Sequence, residues 1–167
     1  MQQLLGAIVA IIAVLLVLIP AVILGQRLFA GSATANAINE LETIASQTLS
    51  VFPNGNFTGL NNAIAEQTGI IPQNMIAGAV GAGNDIDPWG GAVTVAVDSG
   101  SQALFDITFT MVPKDACVKM AQWTSSSLNG VLVNNALLNP PIDVTSAVTA
   151  CGSPNNNTLQ FRLSQGG

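Results

Sequence analysis

The sequence predicts an α+β protein in which a long N-terminal α-helix packs on a small antiparallel β-sheet, with a disulfide-closed region towards the C-terminus. Three observations carry this expectation. Leu4 to Leu24 (LLGAIVAIIAVLLVLIPAVIL) contains no charged residue, and at a rise of ~1.5 Å per residue it matches a hydrocarbon core of roughly 30 Å. From Arg27 to Phe52 the pattern becomes amphipathic, with Leu28, Ile38, Leu41, Ile44, Ala45, Leu49 and Phe52 recurring at helical intervals. Further on, Phe105, Ile107 and Phe109 alternate with Asp106, Thr108 and Thr110, the period of a strand with one buried face.

The economical reading of the first half is one helix of about 50 residues. Residues 1–25 form an apolar membrane or filament-core part, 26–52 an amphipathic continuation, and 53–167 a globular domain. Pro20 removes its own N–H and clashes with the carbonyl of Leu16, and Gly25 weakens the next turn, which predicts a kink or unwound patch there. Two readings of the apolar run stand side by side: a plain single-pass anchor, or a helix that leaves lipid to pack against copies of itself. No Lys or Arg precedes it, while Arg27 follows. Taken literally the positive-inside rule would place the rest of the chain in the cytoplasm. The preferred expectation is that a short basic leader oriented the protein and was removed, leaving Met1 as a processed N-terminus.

Composition narrows the class. The 167 residues are 49% hydrophobic and only 8% charged, with net charge -5, so one compact domain accompanies the helix. Four Lys plus Arg cannot build the basic patch that nucleic acid requires. Asn, Ser, Thr, Gln and Gly supply a neutral hydrogen-bonding surface, which tolerates dense packing of copies because little charge is crowded together. The two cysteines, Cys117 and Cys151, are expected to form a disulfide in an exported domain. The chain has no His, which excludes a Cys-His nucleophile and any His-bearing metal site.

In order along the chain, PNGNFTG after Phe52 ends the long helix, LNNAIAEQT at 60–68 makes a short helix stopped by Gly69, and residues 70–91 form a loop punctuated by Gly and Pro. Val93–Val97 and Leu104–Met111 read as strands. DACVKMAQWTSSSL (115–128) reads as a further helix, with Val118, Ala121 and Leu128 available to face inwards. VLVNNALL and IDVTSAVTAC follow, and Thr158–Leu163 reads as a closing strand, so the disulfide is expected to pin the last helix to the C-terminal strand region. Asn84, Asp85 and Asp87 offer oxygen ligands for calcium, but the run is not an EF-hand loop and a solvated turn is the better reading. Ser125–Ser127 lacks a base to activate it. Asn56-Phe57-Thr58 and Asn156-Asn157-Thr158 match a glycosylation sequon and are read as surface polar loops. No catalytic residue, cofactor site or metal site is expected.

Five blocks, GQRLF at 25–29, IPQNM at 71–75, DPWGGAVTV at 87–95, FDITFTMVPKDAC at 105–117 and NTLQF at 157–161, together with the apolar helix, resemble the type IVb pilins, most closely the thin-pilus branch associated with conjugation and adherence. The resemblance implies a structural subunit, a major pilin, that polymerises into an extracellular type IV pilus used for surface attachment, cell-cell contact or conjugation. It implies an inner-membrane pool before assembly, and a prepilin peptidase, an assembly ATPase and a platform protein as partners. It assigns Leu4, Leu5, Ile8, Ile11, Ile12, Leu15, Leu16, Leu18, Ile19 and Ile23 to the filament core, with Pro20 and Gly25 letting the helix bend or stretch. The family commonly carries a glutamate where this chain has Leu5; Gln2 and Gln3 offer only neutral amide oxygens to a neighbour's ammonium. Two alternatives stand beside the major pilin: a minor pilin or pseudopilin of the same assembly class, and a monomeric membrane-anchored binding domain.

Overall fold

A computed structural model of the protein describes residues 31–166. The expectations that fall on residues 1–25, namely the apolar span, the filament-core side chains and the break at Pro20 and Gly25, lie outside the described residues. Among the described residues no helix is long and apolar enough to cross a membrane. A compact unit begins at Thr34.

Helix α1 covers 31–51 of the described chain. Its buried positions, Thr34, Ala37, Glu40, Leu41, Ile44, Ala45 and Thr48, recur at helical spacing and make one stripe. Buried Thr48 is satisfied within the helix, its hydroxyl donating to the Ile44 carbonyl at 2.7 Å. Pro53 and Gly55, the latter in the left-handed region (φ 66°), end it. Helix α2 runs from Asn62 to Gln67. Asn61 caps it, accepting from the Ile64 N–H at 3.1 Å. Gly69 (φ 75°) stops it as the sequence predicts.

The strands are β1 (Asp85–Ile86), β2 (Ala92–Val97), β3 (Leu104–Val112), β4 (Leu128–Val133), β5 (Ala136–Leu138) and β6 (Asn157–Ser164), with helices α3 (Lys114–Ala121) and α4 (Val144–Ala150) between them. They form one six-stranded sheet in the order β1-β2-β3-β6-β4-β5, antiparallel at every pair. Val93 and Val95, then Phe105, Ile107 and Phe109, then Leu159, Phe161 and Leu163, then Val131 and Val133 bury one face. They share a single core with the α1 stripe, so the aromatic face does rest on the amphipathic helix. Phe57 packs on Phe105 with tilted rings whose centroids are 4.6 Å apart, and Trp123 meets Phe161 edge-on at 5.8 Å.

Two expectations, the helix over 115–128 and the loop over 70–91, need correction, and two segments left unassigned take a definite structure. The helix read over 115–128 ends at Ala121: Thr124 and three serines compete for backbone hydrogen bonds and carry no apolar side chain to bury, and Leu128 already opens β4. VLVNNALL is a hairpin, its turn made by Asn134 and Asn135 at φ 50° and 68°, the left-handed pair that a two-residue turn demands and Asn tolerates. IDVTSAVTAC contains helix α4, begun by Asp143, whose carboxylate accepts from the Ser146 N–H at 3.0 Å. The loop 70–91 holds a short 3-10 turn at Gln73–Met75 and the edge strand β1. The closing strand, for its part, lies in the middle of the sheet between β3 and β4.

Candidate functional site

Cys117 in α3 and Cys151 at the C-cap of α4 form a disulfide with Cα atoms 6.0 Å apart, within the span such a bridge needs. The staple therefore joins two helices, and the expectation that it pins a helix to the strand region is corrected: α4, unread in the sequence, stands between. The tie to β6 is made instead by Asn157, fully buried at the start of that strand. Its amide donates to the Val112 carbonyl at 2.9 Å and the Ser153 carbonyl at 2.7 Å. Its oxygen accepts from the Asn134 amide at 3.0 Å and the Ser153 N–H at 3.1 Å. All four hydrogen-bonding positions of the side chain are thus used, so the Asn-rich run that reads as a surface loop contains the hub of the stapled end.

Next to that hub, the hairpin β4–β5 and α4 frame a groove of about 510 Å³ lined by Val133, Ala136, Leu138, Thr145, Ser146 and Thr149. Leu137, Val144 and Val148 are exposed around it. At the opposite edge of the sheet Val80 and Ile86 are exposed beside β1. Both sheet edges thus present apolar side chains among neutral polar ones.

The DPWGG run makes a tight turn. One Asp87 oxygen accepts from the N–H groups of Trp89 and Gly91, both at 2.8 Å. Gly91 allows the strands to close: a Cβ there would sit 1.9 Å from the Thr110 carbonyl oxygen. Asp85 and Asp87 are both buried, so neither belongs to a solvated turn. Burial pushes Asp87 above the usual carboxylate range, with the backbone N–H groups pulling the other way. Glu40, on α1, is raised chiefly by burial, opposed by the Asn74 amide that donates to it at 2.7 Å. On the sheet Arg162 lies opposite Asp106 and pairs with Asp98 at 2.6 Å. Asp106 is nonetheless raised, because burial outweighs the guanidinium. Among the described residues no group of three His, Cys, Asp or Glu side chains is placed to hold a metal ion. What the described surface offers is amide and hydroxyl hydrogen bonding, apolar edges and a stapled end.

A long helix laid along an antiparallel sheet, with a disulfide closing the C-terminal part, is the architecture of a type IV pilin. The fold is similar to that in the crystal structure of TcpA, a type IV pilin from Vibrio cholerae El Tor biotype, with a TM-score of 0.55 at 14% identity, over 80% of this chain and 99% of that one. It is also similar, with a TM-score of 0.46 at 25% identity, to the NMR structure of the type IVb pilin PilS from Salmonella typhi, over 75% of this chain and 94% of that one. No curated protein sequence matches the chain. The profile of the PilS family (PilS N terminal) matches residues 32–164, and the chain belongs to that family, the type IVb pilins. It is a pilin subunit of a pilus.

Proposed function

We propose that the protein is a major pilin that polymerises through its N-terminal helix into an extracellular filament used for attachment, cell-cell contact or conjugation. The observation that carries this is the joining, in one chain, of a PilS-family domain over 32–164 to the uncharged run Leu4–Leu24. In lipid such a run is stable alone. In water its exposure costs tens of kcal/mol at ~25 cal/mol per Å², so removal from the membrane has to be coupled to burial, and only copies of the same segment offer a surface of matching length. Leu4, Leu5, Ile8, Ile11, Ile12, Leu15, Leu16, Leu18, Ile19 and Ile23 are the side chains that would then fill the filament core, with Pro20 and Gly25 absorbing the bend. Residues 1–25 act as the core part, 26–52 as the continuation of the helix, and 53–167 as the outer domain. The low charge of the chain, 8%, suits close packing of those outer domains. A prepilin peptidase, an assembly ATPase and an inner-membrane platform are the partners this reading requires.

Leu5 favours the second reading, a minor pilin that starts a filament, because a subunit with no neighbour to receive has no need of a carboxylate there. Electron microscopy of material sheared from the cell surface, with mass spectrometry of its N-terminus, separates the two. Abundant filaments built from this chain establish the major pilin. Filaments in which it is a trace component establish the minor one, and its confinement to the detergent-soluble membrane fraction overturns both.

A further inference from the structure

Glu66 and Asp85 are 2% and 3% exposed, near enough for the Glu66 carboxyl to act on that of Asp85, and each has one oxygen in use and one idle. Glu66 Oε2 accepts from the Gly81 N–H. Asp85 Oδ2 accepts from the Asn62 amide at 2.7 Å. Glu66 Oε1 and Asp85 Oδ1 are buried with no partner, and two neighbouring carboxylates cannot satisfy one another without a hydrogen between them. Neither residue forms an ion pair among the described residues.

We infer that Asp85 and Glu66 form a proton-operated latch: with a proton on Asp85 donated to Glu66 the loop 77–84 is held against α2, and loss of that proton releases it. The loop, AGAVGAGN, depends on this grip. Its other backbone ties are the Ala77 N–H to the Asn84 carbonyl at 2.7 Å and the Ala82 N–H to the Ala79 carbonyl at 3.1 Å, both internal to it. Gly78, Gly81 and Gly83 all have positive φ, and although Gly81 and Gly83 lie close to Gln67 and Asn62 of α2, the loop has no large side chain of its own but Val80, which is exposed. The bond from Gly81 to Glu66 is what joins the loop's middle to the body, and Asp85, on β1, stands directly after the loop.

The direction follows from the surroundings of Asp85. From α2 it faces Glu66, whose negative charge opposes ionisation; β2, paired with it at Val93, and the loop itself contribute no titratable side chain. Asp87, two residues on, faces Glu40 rather than Glu66. Burial above all, and Glu66 next to it, raise Asp85 to about 6 against the pull of the Asn62 amide. Ionisation at neutral pH sets two buried charges against each other, and the glycine loop is the element that yields most easily.

Nuclear magnetic resonance of the full-length chain in detergent micelles, with labelled carboxyl carbons and amides, tests this between about pH 4.5 and about pH 8. The Asp85 carboxyl and the Gly81 amide are expected to titrate together with one midpoint near 6. Exchange at Gly81, corrected for its intrinsic rate, should quicken by roughly tenfold or more across it. Asp85→Asn, whose amide can donate permanently, should fix Gly81 in its low-pH position, and Glu66→Gln should likewise abolish the transition. A Gly81 amide that stays still while Asp85 titrates overturns the latch, as does an Asp85 carboxyl titrating in the ordinary range. So does a transition that survives in both variants. Restoration of the low-pH spectrum at neutral pH by calcium, reversed by a chelator, overturns it in favour of a cation site.

Discussion

Gly91 and Asn157 show how single residues decide this domain. Neither is apolar, and both sit where a side chain has no freedom to change. At Gly91 an added methyl meets the Thr110 carbonyl oxygen at 1.9 Å and an Asp87 oxygen at 2.8 Å, backbone on one side and a committed cap on the other. Gly91→Ala is expected to destabilise the protein by about 2–4 kcal/mol, read as a fall in the midpoint of urea unfolding with the slope unchanged. The run WGG announces a turn in the sequence, but the close approach that makes Gly91 irreplaceable comes from Thr110 on the distant strand β3, whose hydroxyl also accepts from the Ala92 N–H. Asn157 was still less legible. Within an Asn-rich run its type signals a surface loop, and only the meeting of Val112, Asn134 and Ser153 around it turns it into a buried hub.

Among the elements, periodicity served where an element is long or strictly alternating and failed where it is short. The α1 stripe, β3 and β6 were readable because each repeats its pattern over many residues. Helix α4 was not: Val144 and Val148 are exposed and of its residues only Ala147 is fully buried, so the apolar positions mark the wrong face, and Asp143 as a cap is the signal that would have found it. The disulfide gives this weakly packed helix its hold. Joining residues 34 apart, it contributes about 4 kcal/mol in the chain-entropy account. Replacing Cys117 and Cys151 together by Ser should therefore lower stability by about that amount, and α4 should become the first site cut by limited proteolysis, while β3 and β6 remain protected. Equal protection of α4 in the double variant would show that Asn157 and the hairpin hold it unaided.

For the molecule as a whole, the buried carboxylates govern the response to pH. Asp85 is raised to about 6 from an ordinary 3.8, and Glu40, Asp87 and Asp106 are raised as well. Between those values the folded state binds more protons than the unfolded one, so stability falls as pH rises. The contribution from Asp85 is fully present below about 3.8 and lost as the pH passes about 6. Exposed Asp143, lowered by its bonds to Ser146, works in the opposite sense at the acid end. Urea midpoints measured across the interval should decline towards neutrality, with a shallower decline in Asp85→Asn; a rise would contradict the burial argument. The amino-acid sequence by itself determined the class of this protein: an apolar run long enough for a membrane, an amphipathic helix, alternating strands, two cysteines and no histidine are local properties, and local physics reads them. Only the tertiary structure decided that the last strand enters the middle of the sheet, that the staple joins two helices, and that Asp85 meets Glu66. Those facts depend on pairings between residues distant in the chain, and pairing energy resides in the contact rather than in either partner.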